Sequence, residues 1–392
     1  MNTFEFQNPT KILFGDGAID KLGVQMKPFG QKIMLVYGGG SIKRNGIYDR
    51  VITQLNEIGG KIIYELSGVE ANPRLTTVKR GIELCRQNGV EFILAVGGGS
   101  VIDAAKAIAV GVHYHGDVWD FFIEKATAED ALEALPLGTI LTLSATGSEM
   151  NGNTVVSNWE EKQKRSFGSL YTFPRFSILD PTLTYSVPRD QTVNGIVDMM
   201  SHVFEQYFSR TEDTPLQERL CESILQTVIE NAEIALEHPE NYTARANLMW
   251  SGTMALNGGL ISVGMQNDWA CHVMEHEVSA IYDIPHGAGL AIIFPNWMKY
   301  VYKERLDRFA QFATRVWNVD SHGKSQEEVA LAGIEATRAF FNRIGAQARL
   351  AQFSIHSEHF DRMAEEAVLF GSFGSFKVLD KQDVKAILEM SL

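Results

Sequence analysis

Two short apolar runs in the first half of the chain, Lys32-Ile-Met-Leu-Val-Tyr37 and Glu91-Phe-Ile-Leu-Ala-Val96, each end in Gly-Gly-Gly-Ser and each lead into a helix-like stretch. Runs this short with almost no polar residue have no face to turn to water. They read as strands buried on both sides, which is the mark of a parallel sheet between helical layers. Further runs at 61–66, 139–143 and 176–179, with helix-like stretches between several of them, extend the pattern. The early chain is therefore an α/β domain. Near Pro188 the pattern changes. Val193, Ile196, Val197, Met200, Phe204, Tyr207 and Phe208 recur at three- and four-residue spacing, as one face of a helix requires. Segments 216–237, 242–263, 268–282, 287–303, 306–317, 326–344 and 380–391 read the same way. The expected organisation is an α/β domain over 1–188 and an all-helical domain over 189–392. The two GGGS copies lack similar flanks, so they are local echoes and not a repeat.

The chain has 392 residues, enough for two domains, and a formal net charge of −13 with 45 % hydrophobic residues. That apolar content excludes a disordered chain, and an acidic surface disfavours non-specific nucleic-acid binding. No stretch reaches the ~18 apolar residues of a membrane span. Cysteine is scarce and odd in number, at Cys85, Cys221 and Cys271. Such usage predicts a reducing, cytoplasmic setting, as does a start with no visible secretory signal.

Glycines at a strand-to-helix turn let the backbone approach a phosphate, and the new helix aims free N–H groups at it. Gly97, Gly98, Gly99 and Ser100, followed by Asp103, are one candidate cradle, and Gly38, Gly39 and Ser41 a second. Neither carries the G-x-G-x-x-G spacing, and a plain tight turn is the competing reading. Thr142, Leu143, Thr146 and Ser148 form a stretch rich in hydroxyl donors just after a strand, suited to ribose or phosphate or to a helix cap.

The helical half carries a second constellation. Asp198 and His202 lie one turn apart on an apolar helix, as do His272 and His276, and His286 follows. A lone buried histidine is usually a hydrogen-bonded core residue. Three histidines and an aspartate together are not so easily explained. One carboxylate oxygen with three imidazoles suits a divalent ion such as Zn²⁺ or Fe²⁺. Spacing does not decide between His272 and His276.

These residues resemble those of the iron-dependent (group III) alcohol dehydrogenases, in the branch of butanol dehydrogenases and broad-range aldehyde reductases. The likeness runs over nearly the whole chain. It includes Asn8-Pro9-Thr10-Lys11-Ile12-Leu13-Phe14-Gly15, Glu70-Ala71-Asn72-Pro73, Gly97-Gly98-Gly99-Ser100 with Asp103 and Lys106, Ala145-Thr146-Gly147-Ser148-Glu149, and Leu179-Asp180-Pro181. Ala71 and Val101 stand where proline is common in the family. The resemblance implies a Rossmann-like dinucleotide-binding domain, an all-helical metal-binding domain (dehydroquinate synthase-like) and an active site in the cleft between them. It implies that Asp198, His202, His272 and His286 hold the metal, while His276 lies near the nicotinamide. Asn72 and Lys164 match cofactor-binding positions.

The implied reaction is hydride transfer between a nicotinamide cofactor and a small aldehyde or alcohol, with His276 as a path for the proton. A homodimer is expected. The family position that bears an acid in NAD-selective members is Gly39 here. No carboxylate repels a 2′-phosphate, and Ser41, Lys43 or Arg44 could attract one, so NADP is favoured over NAD. Few charged residues flank the expected ligands, which favours small uncharged substrates. Asn151, Asn153 and Trp269 are expected to line their site.

Two rivals stand beside this reading. One is a polyol dehydrogenase of the same superfamily. The other is a metallopeptidase, because His272-Val273-Met274-Glu275-His276 fits H-x-x-E-H. The peptidase reading leaves Asp198, His202, His286 and both glycine loops without a role.

Overall fold

The computed structural model describes residues 1–131 and 133–392. In chain order the regular elements are β1 (Lys11–Phe14), α1 (Leu22–Met26), β2 (Lys32–Tyr37), α2 (Ser41–Arg44), α3 (Ile47–Glu57), β3 (Ile62–Leu66), α4 (Leu75–Asn88), β4 (Phe92–Gly97), α5 (Gly99–His113), β5 (Leu137–Leu141), β6 (Asn153–Asn158), β7 (Gln163–Gly168) and β8 (Phe176–Leu179). Helices then take over: α6 (Arg189–Tyr207), α7 (Pro215–Glu237), α8 (Tyr242–Ala255), α9 (Ala270–Tyr282), α10 (His286–Val301), α11 (Leu306–Val316), α12 (Gln326–Ile344), α13 (Phe360–Ala367) and α14 (Lys381–Met390).

The chain divides into two compact units, one of Gln7–Val187 with Pro239–Gly258, the other of Met1–Phe6, Pro188–His238 and Gly259–Leu392. A single cut at 188 therefore does not describe them. The first six residues and the segment around α8 each belong with the opposite half. Trp250 of α8 meets Phe14 of β1 edge-on, with ring centroids 5.8 Å apart, and Thr253 bonds the buried Glu149 at 2.5 Å. The helix expected over 242–263 ends at Ala255. Gly258 and Gly259 follow it with φ of 77° and 96°, conformations no helix continues through.

In the α/β unit six parallel strands run in the order β1-β8-β5-β4-β2-β3. The inner strands are buried on both faces, which is why they read as continuous apolar runs. One face packs on α4 and α5 through Val36, Ala95, Ile102 and Ile108. The other packs on α1 and α3 through Ile33, Leu94, Val51 and Leu55. Strand order reverses between β2 and β4, which are hydrogen-bonded neighbours with Tyr37 opposite Val96. The two GGGS sequences thus leave the carboxyl ends of adjacent strands at the topological switch point, where ligands of such sheets bind. The antiparallel pair β6–β7 was not anticipated from the sequence.

In the helical unit α6 and α10 are buried almost all round, and α10 carries only apolar residues over Leu290–Pro295. Phe204, Phe208, Phe294 and Phe312 stack between them and α11, with ring centroids 5.2–6.2 Å apart. Rings in these edge and tilted arrangements contribute beyond their buried area, and they fix the two central helices that carry the polar cluster described next. Among the described residues no helix is long and apolar enough to cross a membrane. The three cysteines are buried and form no disulfide.

Candidate active site

In the helical unit the i, i+4 spacing of α6 puts Asp198 and His202 on one buried face. Asp198 Oδ1 lies 3.6 Å from His202 Nδ1 and 3.7 Å from His286 Nε2. The His272 ring on α9 sits with its centroid 4.7 Å from that of His202 and 5.2 Å from that of His286. Donor atoms of a tetrahedral site with bonds of about 2.1 Å are roughly 3.4 Å apart, so the spacing suits one ion. His202 Nδ1 is buried with no hydrogen-bond partner. Burial first, then the neighbouring His272 and His286, hold this imidazole well below its usual pKa. It therefore stays neutral, the form that ligates metals. A carboxylate and three imidazoles, one of them with an orphaned buried nitrogen, fit a divalent ion.

Close approach of the three helices has a local cause. A Cβ at Gly287, the second residue of α10, would lie 2.1 Å from the Asn194 carbonyl of α6, so only glycine lets His286 come down beside Asp198. Trp269, just before α9, has φ of 67°, rare for so large a side chain. That conformation lays its indole against His202 and His272, at 6.2 and 5.4 Å.

His276 separates from this group. It lies one turn along α9, with its ring centroid 5.6 Å from that of His286, and clusters with Glu275 and His286 instead. Glu275 has no solvent exposure and is bonded to His286 Nδ1 and the Ser279 hydroxyl. That placement opposes the peptidase reading, in which this glutamate must face a reacting water. Glu205, also wholly buried, lies 2.9 Å from His272 Nδ1. Burial pushes its carboxyl up to about 8, against the opposing pull of three backbone N–H groups at the start of α9. Sequence reasoning missed both glutamates as partners of histidines.

In the α/β unit the candidate nucleotide residues gather around the switch point. Thr142 N donates to Gly97 O at 3.0 Å, which brings the 142–148 stretch alongside the β4–α5 turn. A Cβ at Gly99 would meet Thr146 Cγ2 at 2.3 Å, and one at Gly98 would meet Leu143 Cβ at 3.2 Å. The glycines therefore serve loop packing as well as any phosphate. Ser100 donates its hydroxyl to the Ala71 carbonyl, in the loop that holds the buried Asn72. That hydroxyl proton is taken up within the protein.

Asp103 accepts from the Ser148 hydroxyl at 2.6 Å and from Val155 N at 3.0 Å, and burial pushes its carboxyl up. Lys106, also buried, bonds Ser148 Oγ at 2.8 Å, Asn151 Oδ1 at 3.1 Å and Asn153 O at 2.8 Å. Asn151 thus ties loops together, where the sequence suggested a lining residue. Lys164 is buried on β7.

Gly38, Gly39 and Ser41 sit at the end of β2. A Cβ at Gly39 would meet nothing within 4 Å. Lys43 is 3.2 Å from Glu65, whose other hydrogen-bond donors are the Tyr37 and Tyr48 hydroxyls.

Known proteins resemble the chain over its whole length. Residues 9–181 match the family model of iron-containing alcohol dehydrogenase, and residues 192–392 match the C-terminal model of that family. The chain is 52 % identical to a probable NADH-dependent butanol dehydrogenase 1 of Bacillus subtilis, over 100 % of both chains. It is 40 % identical to the NADPH-dependent aldehyde reductase YqhD of Escherichia coli, over 91 % of this chain and 90 % of that one. The crystal structure of NADH-dependent butanol dehydrogenase A from Thermotoga maritima superposes with a TM-score of 0.95 at 42 % identity, covering 100 % of this chain and 99 % of that one. The chain belongs to the iron-containing alcohol dehydrogenase family and is an oxidoreductase of that family.

Proposed function

We propose that the chain interconverts short uncharged aldehydes and their alcohols, using NAD(P)H and one divalent ion, Fe²⁺ or Zn²⁺, held by Asp198, His202, His272 and His286. The observation that carries this reading is the buried group of Asp198, His202 and His272, whose donor atoms lie within reach of one ion, with His286 Nε2 3.7 Å from Asp198. The butanol dehydrogenases and the aldehyde reductase among its relatives support the substrate class.

A bound ion supplies Lewis acidity at the substrate oxygen. The chain supplies the rest. Asp198 with three neutral imidazoles offers a single negative charge, which leaves a dication electrophilic. His276, beside His286 but outside the four, holds a proton on its ring and passes it to or from the substrate oxygen. Gly97–Ser100 and the start of α5 receive the pyrophosphate, and Gly38, Gly39 and Ser41 the adenosine ribose. The open space at Gly39 accepts a 2′-phosphate. Lys43, paired with Glu65, adds less attraction for it than an unpaired lysine would. Both cofactors are therefore admitted. We further propose a cytoplasmic homodimer, on the family resemblance and the free cysteines.

Absorbance at 340 nm, followed with butanal and either NADH or NADPH, tests the reading. Loss of reduced cofactor that stops with a chelator and returns with added Fe²⁺ or Zn²⁺ is expected. Turnover indifferent to the chelator would refute the metal's role.

A further inference from the structure

Helices α6 and α9 share a short motif, His202-Val203-Phe204-Glu205 and His272-Val273-Met274-Glu275. An i, i+3 spacing puts histidine and glutamate on the same side of each helix. Yet neither glutamate serves the histidine of its own motif. Glu205 of α6 reaches His272 of α9, with its Oε1 2.9 Å from Nδ1. Glu275 of α9 reaches Nδ1 of His286 at the start of α10. Each helix thus contributes a candidate ligand and the carboxylate that holds the next helix's ligand.

The surroundings of both glutamates are built for this. Glu205 Oε1 also accepts from His272 N at 3.0 Å, so its position is locked to the first turn of α9. Glu275 is held by the Ser279 hydroxyl, which also reaches the Ile284 carbonyl at 3.1 Å just before His286. A Cβ at Gly289 would lie 2.8 Å from Glu275 Cγ, so the bare glycine on α10 makes the space the carboxylate occupies. A buried carboxylate that accepts the Nδ1 proton fixes the tautomer, leaves the Nε2 lone pair for the ion, and makes the imidazole a stronger donor.

We infer that Glu205 and Glu275 are positioning residues for the metal, linking the three helices in sequence by orienting His272 and His286. The inference rests on the four-residue site proposed above. His286 has the greater need, because its side chain is 24 % exposed against 10 % for His272.

Titration of the metal-free protein with Co²⁺, against a competing chelator, tests it. Visible absorbance reports the coordination and thermal unfolding of the metal-free form reports the fold. Glu275→Gln keeps an oxygen that can accept from Nδ1 and loses the charge, whereas Glu275→Ala loses both. Binding about 10-fold weaker is expected for Glu275→Gln and about 100-fold weaker for Glu275→Ala, with altered Co²⁺ absorbance. Glu205→Gln, which still accepts the α9 N–H groups, is expected to weaken binding about 10-fold with the metal-free unfolding midpoint unchanged. Glutamine variants that bind Co²⁺ as tightly as the parent would overturn the inference, whatever their thermal stability. If His272→Ala also binds as the parent does, the four-residue site itself is wrong.

Discussion

Replacing His272 with alanine is expected to strip the ion from the protein and to lower kcat/KM for aldehyde reduction by about 10³-fold or more. Lewis-acid stabilisation at a carbonyl oxygen is worth several kcal/mol, and each 1.36 kcal/mol is tenfold in rate. The loss falls on His272 because its ring lies beside both His202 and His286, at 4.7 and 5.2 Å, and alanine takes one donor out of the group. His276→Ala is the control one turn away on α9. That variant is expected to keep one ion per chain and to lose about 10²-fold in kcat, as removal of a proton-transfer group does. Metal analysis beside steady-state kinetics separates the two. A His272→Ala protein that retains its ion would be fatal to the ligand assignment.

The second large effect is on stability. Lys106→Met is expected to destabilise the α/β unit by about 3–5 kcal/mol, the range for removing one partner from a buried charge group. Lys106 is wholly buried, and both Asp103 and Glu149 act on its charge. Burial pulls its pKa down to about 8 even against those two carboxylates, which oppose the fall. Without the ammonium, the buried Glu149 loses its opposing charge and Asp103 is left with that of Lys164. The combination Lys106→Met, Asp103→Asn, Glu149→Gln removes all three charges, so it is expected to recover most of the lost stability. Denaturant unfolding measures both. A single Lys106→Met variant within 1 kcal/mol of the parent would show that the cluster is not electrostatically coupled.

The parts of this structure that were legible in the sequence are those whose signal is local. Lys32–Tyr37 and Phe92–Gly97 are buried on both faces, so their apolar character is continuous and their ends are marked by glycine. Asn153–Asn158 and Gln163–Gly168 were not legible, because the pair is mostly polar and only Val156 and Phe167 are buried apolar anchors. The membership of α8 in the α/β unit depends on Phe14 and Glu149, more than 100 residues distant, and no window of sequence contains that information. α13 is only eight residues long and was missed for that reason.

The site divides the same way. Asp198 and His202 announced themselves by helical spacing. His272 and His276 share that spacing, which leaves them equivalent; the family resemblance separates them, and in the fold the His272 ring lies beside that of His202 and the His276 ring beside that of His286. Glu275 was misread in one rival because its motif spacing is satisfied by two different chemistries. The partner that decides between them, His286 Nδ1, lies on another helix.

The central claim, that Asp198, His202, His272 and His286 hold one ion, is tested most directly by a crystal structure of the Zn²⁺-loaded protein with anomalous scattering recorded on both sides of the zinc edge. The account predicts one strong peak per chain, roughly 2.0–2.2 Å from a carboxylate oxygen of Asp198 and from one imidazole nitrogen of each of the three histidines. A peak enclosed instead by Glu275, His276 and His286, the other group of potential ligands in the helical unit, would contradict it.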